Sequence, residues 1–203
     1  MKKTHVNILK TFSRFLMISL VATIALSSCK KDEDPEPEKE KEEEVETTPL
    51  ETKTVTDLDA VSAYAYYSLE TGEIIASTDS NSTKWDLAFS ASKVIVNGTA
   101  TGPGVGEGQY ITGIFDELKT APTDGYTAEL PTGSGKAWYD YNSTTHIITP
   151  TAGKILVIKT ASGKYAKIEF LSYYKGYPNQ VNGTDGRYIS FQYVYQPDGS
   201  MNF

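Results

Sequence analysis

The stretch KILVIKTASGKYAKIEFLSYY, residues 154–174, decides the fold. Its first half contains Ile155–Ile158, an unbroken apolar run that is typical of a β-strand covered on both faces. Its second half alternates apolar and polar side chains, the period-2 pattern of a strand with one buried face. The Ser-Gly pair between the halves suits a tight turn, because glycine adopts positive φ without steric cost. The sequence therefore predicts a hairpin with strands over Lys154–Thr160 and Lys164–Tyr174.

The same period-2 pattern extends in both directions from this hairpin. Trp85, Leu87 and Phe89 share one face of a short predicted strand, and residues 188–195 alternate in the same way. All 14 tyrosines follow residue 52, and tyrosine is enriched in strands. Only residues 114–119 have the pattern of a helical turn. We therefore predict a single, irregular, mostly antiparallel all-β domain over residues 52–203.

Composition narrows the class of protein. Residues 52–203 carry 11 basic and 15 acidic side chains, which argues against a nucleic-acid-binding protein with its basic face. The single cysteine, Cys29, excludes a disulfide framework and a multi-cysteine metal site. The glycine-rich stretch Gly102–Gly108 lacks the Gly-Lys-Ser/Thr ending of a phosphate-binding loop, so we expect a mobile surface loop. No nucleophile motif is present, and the sequence favours a binding protein over an enzyme.

Residues 1–28 have the features of an export signal. A basic start precedes Phe15–Leu26, a mostly apolar stretch of 12 residues that is shorter than the roughly 20 residues of a membrane-spanning helix. The tetrapeptide Leu26–Cys29 resembles the lipobox of bacterial lipoproteins, in which the cysteine is acylated. We therefore predict a lipoprotein signal peptide over 1–28 and lipidation of Cys29. The alternative is an ordinary signal peptide with a chance cysteine.

Residues 29–51 form the predicted tether. They contain 11 acidic residues and four lysines and almost nothing apolar, so the segment repels itself and should be extended and disordered. The acidic run after Cys29 also resembles the surface-export signal of Bacteroidetes lipoproteins. We expect a lipid-anchored protein of the outer membrane that is exposed at the cell surface or shed from it.

The order of segments in the β domain resembles the HmuY family of Bacteroidetes haem-binding surface lipoproteins. The segments are Trp85–Phe89, Asn97-Gly98 with the glycine-rich stretch, Pro122–Tyr126, Trp138–Tyr141, the hairpin over 154–174 and Tyr188–Tyr195. The resemblance implies an HmuY-like antiparallel β fold that captures haem or a related tetrapyrrole between loops. It also implies a role in iron and haem acquisition, with transfer to a TonB-dependent outer-membrane receptor.

The resemblance implies axial haem ligands, a histidine pair or methionines, from two segments. The first corresponds to Thr132–Gly135, which has neither an imidazole nor a thioether, and the second to Tyr141–His146. After Cys29 the sequence has one histidine and one methionine, so the ligand candidates are His146, Tyr141 and Met201. No pair of histidines or of methionines is available within one chain. The second ligand would be a tyrosine, Met201, water or a residue of a partner chain in a dimer.

Aromatic residues near these segments offer a second kind of contact. Trp138 and Tyr139 are candidates to stack on a flat ligand, although tyrosines on strands usually pack across strands. His146 has a structural alternative as well, as a polar strand residue without a ligand. Two other functions therefore stay open: a relative that binds another surface nutrient, such as a glycan, through aromatic loops, and an adhesin or structural surface subunit.

Overall fold

The computed structural model describes residues 49–203, and the predicted signal peptide, Cys29 and nearly all of the tether lie outside this range. The described strands are β1 (Thr52–Asp59), β2 (Ala65–Ser68), β3 (Glu73–Ile75), β4 (Leu87–Ser90), β5 (Lys93–Val96), β6 (Glu107–Thr112), β7 (Tyr139–Asn142), β8 (Ile147–Pro150), β9 (Lys154–Lys159), β10 (Tyr165–Tyr174) and β11 (Gly186–Gln196). Two short 3₁₀ helices occupy Ser77–Asp79 and Phe115–Glu117. Among residues 49–203, no helix has the length and apolar character needed to cross a bilayer.

The strands form three antiparallel groups. One sheet has the order β1-β11-β10-β9-β6, a second has the order β3-β2-β4-β5, and β7 and β8 form a separate hairpin. The predicted hairpin over 154–174 is confirmed, because β9 and β10 pair with Lys159 opposite Tyr165. The prediction of an all-β, mostly antiparallel domain is confirmed with it.

Two apolar clusters cover the two faces of the five-stranded sheet. Leu156 and Ile158 of β9 belong to the larger cluster, which also contains side chains of the four-stranded sheet. Their neighbours Ile155 and Val157 belong to the smaller cluster. Because successive side chains of a strand point to opposite faces, the clusters lie on opposite faces of this sheet. The apolar run of β9 is therefore buried on both sides, as its sequence predicts.

The smaller cluster is covered by two segments outside the sheets. The 3₁₀ helix Phe115–Glu117 contributes Phe115, and the chain terminus contributes Met201 and Phe203. Backbone hydrogen bonds join the two segments, with the Ala121 N–H donating to the Met201 carbonyl over 2.7 Å. The terminal residues are thus held against the sheet.

Two local predictions are wrong. The sequence predicts a helical turn only at 114–119, whereas the structure has another, the 3₁₀ helix Ser77–Asp79. The glycine-rich stretch is not a mobile surface loop, because Gly104 and Gly106 are buried. A Cβ on Gly106 would lie 2.4 Å from the Asn97 carbonyl oxygen, so the close approach of the two backbones requires glycine there.

Candidate functional site

The tip of the β7–β8 hairpin is built by its own backbone and by one asparagine. The Asn142 carbonyl accepts a hydrogen bond from the His146 N–H over 2.8 Å, which closes the turn. The Asn142 side-chain oxygen accepts from the N–H groups of Thr144 and Thr145 over 2.9 and 3.1 Å. His146 takes a φ of +59°, a left-handed conformation in which histidine is one of the more tolerated residues. These bonds fix the turn that carries the imidazole.

The imidazole of His146 is paired with the phenol of Tyr141. Their Nδ1 and Oη atoms are 2.6 Å apart, and the ring centroids are 6.1 Å apart. Both residues are exposed, Tyr141 to 43% of its surface. When Nδ1 donates to the phenol oxygen, the neutral ring carries its lone pair on Nε2. Among residues 49–203 no hydrogen bond involves Nε2, so this nitrogen is open to a ligand from solvent.

The two segments singled out by the family resemblance lie side by side. The Tyr141 N–H donates to the Ser134 hydroxyl oxygen over 2.7 Å, and the Gly135 N–H donates to the Tyr139 carbonyl over 2.9 Å. Thr132–Gly135 therefore supports the β7 edge directly beside the Tyr141–His146 pair. It has no imidazole or thioether, so its contribution is positioning.

Trp138 is a core residue and not a ligand platform. Its indole is only 1% exposed and stacks on Phe170, with ring centroids 4.5 Å apart and planes inclined by 20°. Its N–H donates to the Ser92 carbonyl over 2.9 Å. Both the faces and the polar edge of the indole are thus occupied within the protein. This burial contradicts the prediction that Trp138 stacks on a bound ligand.

Tyr139 is half-buried and packs against the larger apolar cluster. Its ring meets the Trp138 indole edge to face at 5.2 Å, and its Oη accepts a hydrogen bond from the Ser92 hydroxyl over 3.2 Å. These contacts agree with a packing role for Tyr139. They leave the exposed part of the hairpin to Tyr141 and His146.

Met201 lies on the other side of the five-stranded sheet. Its side chain packs in the smaller cluster, whereas Ile148 of the hairpin packs against the larger one. The Ile148 N–H also donates to the Tyr174 phenol oxygen over 2.9 Å, which ties the hairpin to β10. The sheet therefore separates Met201 from His146, and the two cannot ligate one metal within a single chain.

Several cavities indent the part of the surface that the structure describes. One of about 440 Å³ lies between β1 and the β2–β3 turn, and one of about 250 Å³ lies between β5 and residues 128–132. A shallow cavity of about 100 Å³ flanks β8. Neither these cavities nor one between β3 and residues 83–86 are lined by His146 or Tyr141. Both side chains of the pair are exposed on the hairpin.

The turn and the second strand of this hairpin carry no formal charge. Residues 141–153 contain no Asp, Glu, Lys or Arg. The nearest carboxylate in sequence, Asp140, accepts a hydrogen bond from the Thr151 hydroxyl over 2.7 Å. Within the described residues, no cluster of three or more His, Cys, Asp or Glu side chains is arranged to hold a metal ion. The metal-binding capacity of this hairpin therefore depends on the single imidazole and the phenol.

Sequence comparison gives no match to any family model or to any curated protein. Solved structures do match. The apo HmuY analogue of Tannerella forsythia has a TM-score of 0.52 and 18% identity, covering 76% of this chain and 99% of its own. A proposed HmuY-like haem-binding protein of Bacteroides vulgatus has a TM-score of 0.48 and 16% identity, covering 71% and 90%. A proposed lipoprotein of Bacteroides fragilis has a TM-score of 0.47 and 19% identity, covering 72% and 90%.

The likeness to the Tannerella forsythia structure defines the class of fold. The chain has an HmuY-like fold, and the fold expected from the family resemblance is confirmed. None of the three similar proteins is described as an enzyme.

Proposed function

We propose that the protein binds haem or a related tetrapyrrole at the tip of the β7–β8 hairpin, with the imidazole of His146 as an axial ligand. The observation that carries the proposal is the exposed Tyr141–His146 pair, in which Nδ1 is engaged and Nε2 is open. The HmuY-like fold supports it, because a structural neighbour is described as a proposed haem-binding protein. The protein would then act as a haemophore-like binding protein and not as an enzyme.

The imidazole of His146 has the donor chemistry for such a ligand. A neutral imidazole nitrogen would bind the iron of haem well. A ligating histidine usually donates its other N–H to an acceptor that fixes the tautomer and the ring orientation. In the tautomer that is protonated at Nδ1, the Tyr141 phenol oxygen, 2.6 Å from Nδ1, is that acceptor. Residues 141–153 carry no formal charge that would oppose the approach of the apolar rim of a macrocycle.

The predicted leader indicates where binding takes place. Cys29 lies at the end of a sequence that resembles a lipobox, and an acidic tether separates it from β1. A multiply acylated cysteine would anchor the chain firmly, since each buried methylene contributes about 0.8 kcal/mol. We therefore place the protein on the outer membrane with its β domain facing outward. A TonB-dependent receptor is the partner that the resemblance indicates for transfer of the ligand in iron acquisition.

Haemin titration of the chain from Lys30 to Phe203 tests the proposal. This range contains every described strand and both apolar clusters. We expect a Soret shift that saturates at low haemin-to-protein ratio and is abolished by His146→Ala. Thr149→Ala, an exposed change on β8, is the matched control and should leave the shift intact. A flat titration of the unmodified protein would contradict the proposal.

The glycan alternative loses its largest aromatic platform, because Trp138 is buried in the core. Retention of the protein on immobilised oligosaccharides, lost in Tyr141→Ala, would be needed to restore it.

A further inference from the structure

The tetrapeptide Val-Asn-Gly-Thr occurs twice in the sequence, at residues 96–99 and 181–184. In an Asn-Gly pair the glycine backbone nitrogen can attack the side-chain carbonyl carbon of the asparagine, because glycine has no Cβ to obstruct the approach. The attack needs a side chain that is free to move and a backbone nitrogen that is free of hydrogen bonds. Since the two tetrapeptides are identical, a difference in their reactivity has to come from the folded structure.

The fold protects Asn97. Its side chain is fully buried, its amide nitrogen donates to two backbone carbonyls over 2.8 Å each, and its Oδ1 accepts from the Gly104 N–H over 3.0 Å. The attacking group, the Gly98 N–H, donates to the Val96 carbonyl over 3.0 Å. The side-chain carbon and the attacking nitrogen are therefore both held in place, and they meet only when this segment opens.

Asn182 lacks this protection. It lies in the loop between β10 and β11, where Asn182 and Gly183 are both exposed. Within residues 49–203, neither the Asn182 side chain nor the Gly183 N–H makes a hydrogen bond. The turn bonds at this point run from the N–H and hydroxyl of Thr184 to the Val181 carbonyl, over 3.3 and 2.9 Å. They leave the peptide group between Asn182 and Gly183 without a partner among the described residues.

We propose that Asn182 is a site of spontaneous deamidation, and that Asn97 is protected from the same reaction as long as the protein is folded. The Gly183 nitrogen forms a bond to Asn182 Cγ, and the bond from Cγ to Nδ2 breaks. Nδ2 leaves as ammonia with the proton of the Gly183 N–H. Water then opens the resulting five-membered imide at one of its two carbonyl carbons, which gives aspartate or isoaspartate at position 182.

The reaction introduces a formal charge into a loop that has none. Residues 176–184 contain no Asp, Glu, Lys or Arg. Asn182 lines the cavity of about 100 Å³ that flanks β8, together with Ile148 of the β7–β8 hairpin. Each event therefore places one negative charge beside β8, and the acidic form accumulates with the age of the protein.

Tryptic peptide mapping of the chain from Lys30 to Phe203 tests the inference, because cleavage puts the two pairs in separate peptides, residues 94–119 and 176–187. After incubation at mildly alkaline pH we expect the mass gain of deamidation at residue 182. Asn97 should react at least about 100-fold more slowly, since a buried segment reacts only in its rare open state. Asn179, which is exposed in the same peptide but precedes glutamine, is the internal control and should stay unchanged. Asn182→Gln should remove the mass gain.

Unfolding in guanidinium chloride separates the effect of the fold from that of the sequence. The rates at Asn97 and Asn182 should become equal there, because the two tetrapeptides are the same. Equal rates in the folded protein, or no reaction at Asn182, would overturn the inference. A difference that persists in the unfolded chain would overturn it as well, because the hydrogen bonds of Asn97 would then not be its cause.

Discussion

At the start of the β7–β8 hairpin, two aromatic residues three positions apart have different roles, one in the core and one at the candidate site. Trp138 is buried against Phe170, and Tyr141 is exposed and paired with His146. The chain thus leaves the core within one short strand. Its aromatic residues pack in the core at one end and are exposed at the other, where we propose that the ligand binds.

Trp138→Ala tests the assignment of Trp138 to the core. Loss of a buried tryptophan typically costs about 3–5 kcal/mol, because packing is lost and a cavity remains. We expect a fall of that size in the free energy of unfolding, measured by urea denaturation. Tyr141→Phe, an exposed change, should alter the same quantity by less than about 0.5 kcal/mol. Equal stability of Trp138→Ala and the unmodified protein would contradict the core assignment.

Tyr141→Phe tests whether the Tyr141 hydroxyl positions His146 for the proposed ligand. The variant keeps the aromatic ring and removes only the hydroxyl that meets Nδ1. Removing a group that orients a metal ligand typically weakens binding about 10–100-fold. We expect a haemin affinity lower by that factor, with an unchanged urea midpoint. An unchanged affinity would show that the phenol does not position His146.

Asp86 should make the free energy of unfolding depend on pH, and the direction of its pKa shift gives the sign of that dependence. Burial raises the pKa of this carboxyl above its usual 3.8, although the N–H groups of Leu69 and Ala161 donate to it. A raised pKa in the folded state means that the folded protein retains the proton more strongly than the unfolded chain. The associated stability is therefore present below pH 3.8 and is lost as pH rises through the folded-state pKa.

The matched variant Asp86→Asn isolates this effect, because its side chain does not titrate. Urea unfolding of both proteins at pH 3.5 and at pH 7 should show that the stability of the unmodified protein, relative to Asp86→Asn, falls with rising pH. A difference that does not change with pH would contradict the raised pKa.

At the scale of elements, Lys167 of β10 contacts both segments that cover the smaller cluster, the 3₁₀ helix Phe115–Glu117 and residues 201–203. Its buried ammonium donates to the carbonyls of Phe115 and Leu118 over 2.8 and 2.9 Å. It also lies 4.7 Å from the centroid of the Phe115 ring and 5.4 Å from that of Phe203. One side chain thus joins the sheet, the 3₁₀ helix Phe115–Glu117 and the terminal residues.

Lys167→Met tests whether Lys167 holds these segments against the sheet. The change leaves two carbonyls without their donor, and an unsatisfied buried acceptor typically costs about 1–3 kcal/mol. We expect lower stability and faster hydrogen exchange at the amides of Ala121 and Phe203, which bond across the cover. Lys53→Met, on the exposed edge strand β1, is the control and should change neither. Unaltered exchange in Lys167→Met would contradict the role of Lys167.

The elements differ in how far the sequence predicts them. The hairpin of β9 and β10 follows from a local apolar pattern and a local turn, and both are visible in one stretch of sequence. The role of Asn97 is not visible there, because it depends on distant segments. Its buried amide donates to the carbonyls of Ser82 and Trp85, and its oxygen accepts from the Gly104 N–H. A residue that suggests a tight turn with Gly98 therefore organises the packed glycine-rich stretch.

The placement of the candidate site residues was predictable only in part. His146 and Tyr141 are evident from the residue count and the family resemblance, and pairing of Asn142 with Ile147 across the turn brings them together. The burial of Trp138 is not evident, because its partner Phe170 lies on β10. The position of Met201 across the sheet likewise depends on the tertiary structure.

At the scale of the whole molecule, one face of the five-stranded sheet supports the hairpin and the other is covered by the chain terminus. The HmuY-like fold thus presents a single imidazole on a projecting, uncharged tip. The central claim is that this imidazole is the metal ligand.

Histidine labelling tests that claim most directly, because His146 is the sole histidine of the chain from Lys30 to Phe203. We would label the histidine with ¹⁵N, add diamagnetic gallium protoporphyrin IX and record the two ring nitrogens by NMR. Our account predicts a large shift of Nε2, with Nδ1 remaining protonated and bonded to Tyr141. Ring nitrogen signals that stay unchanged at saturating porphyrin would contradict it.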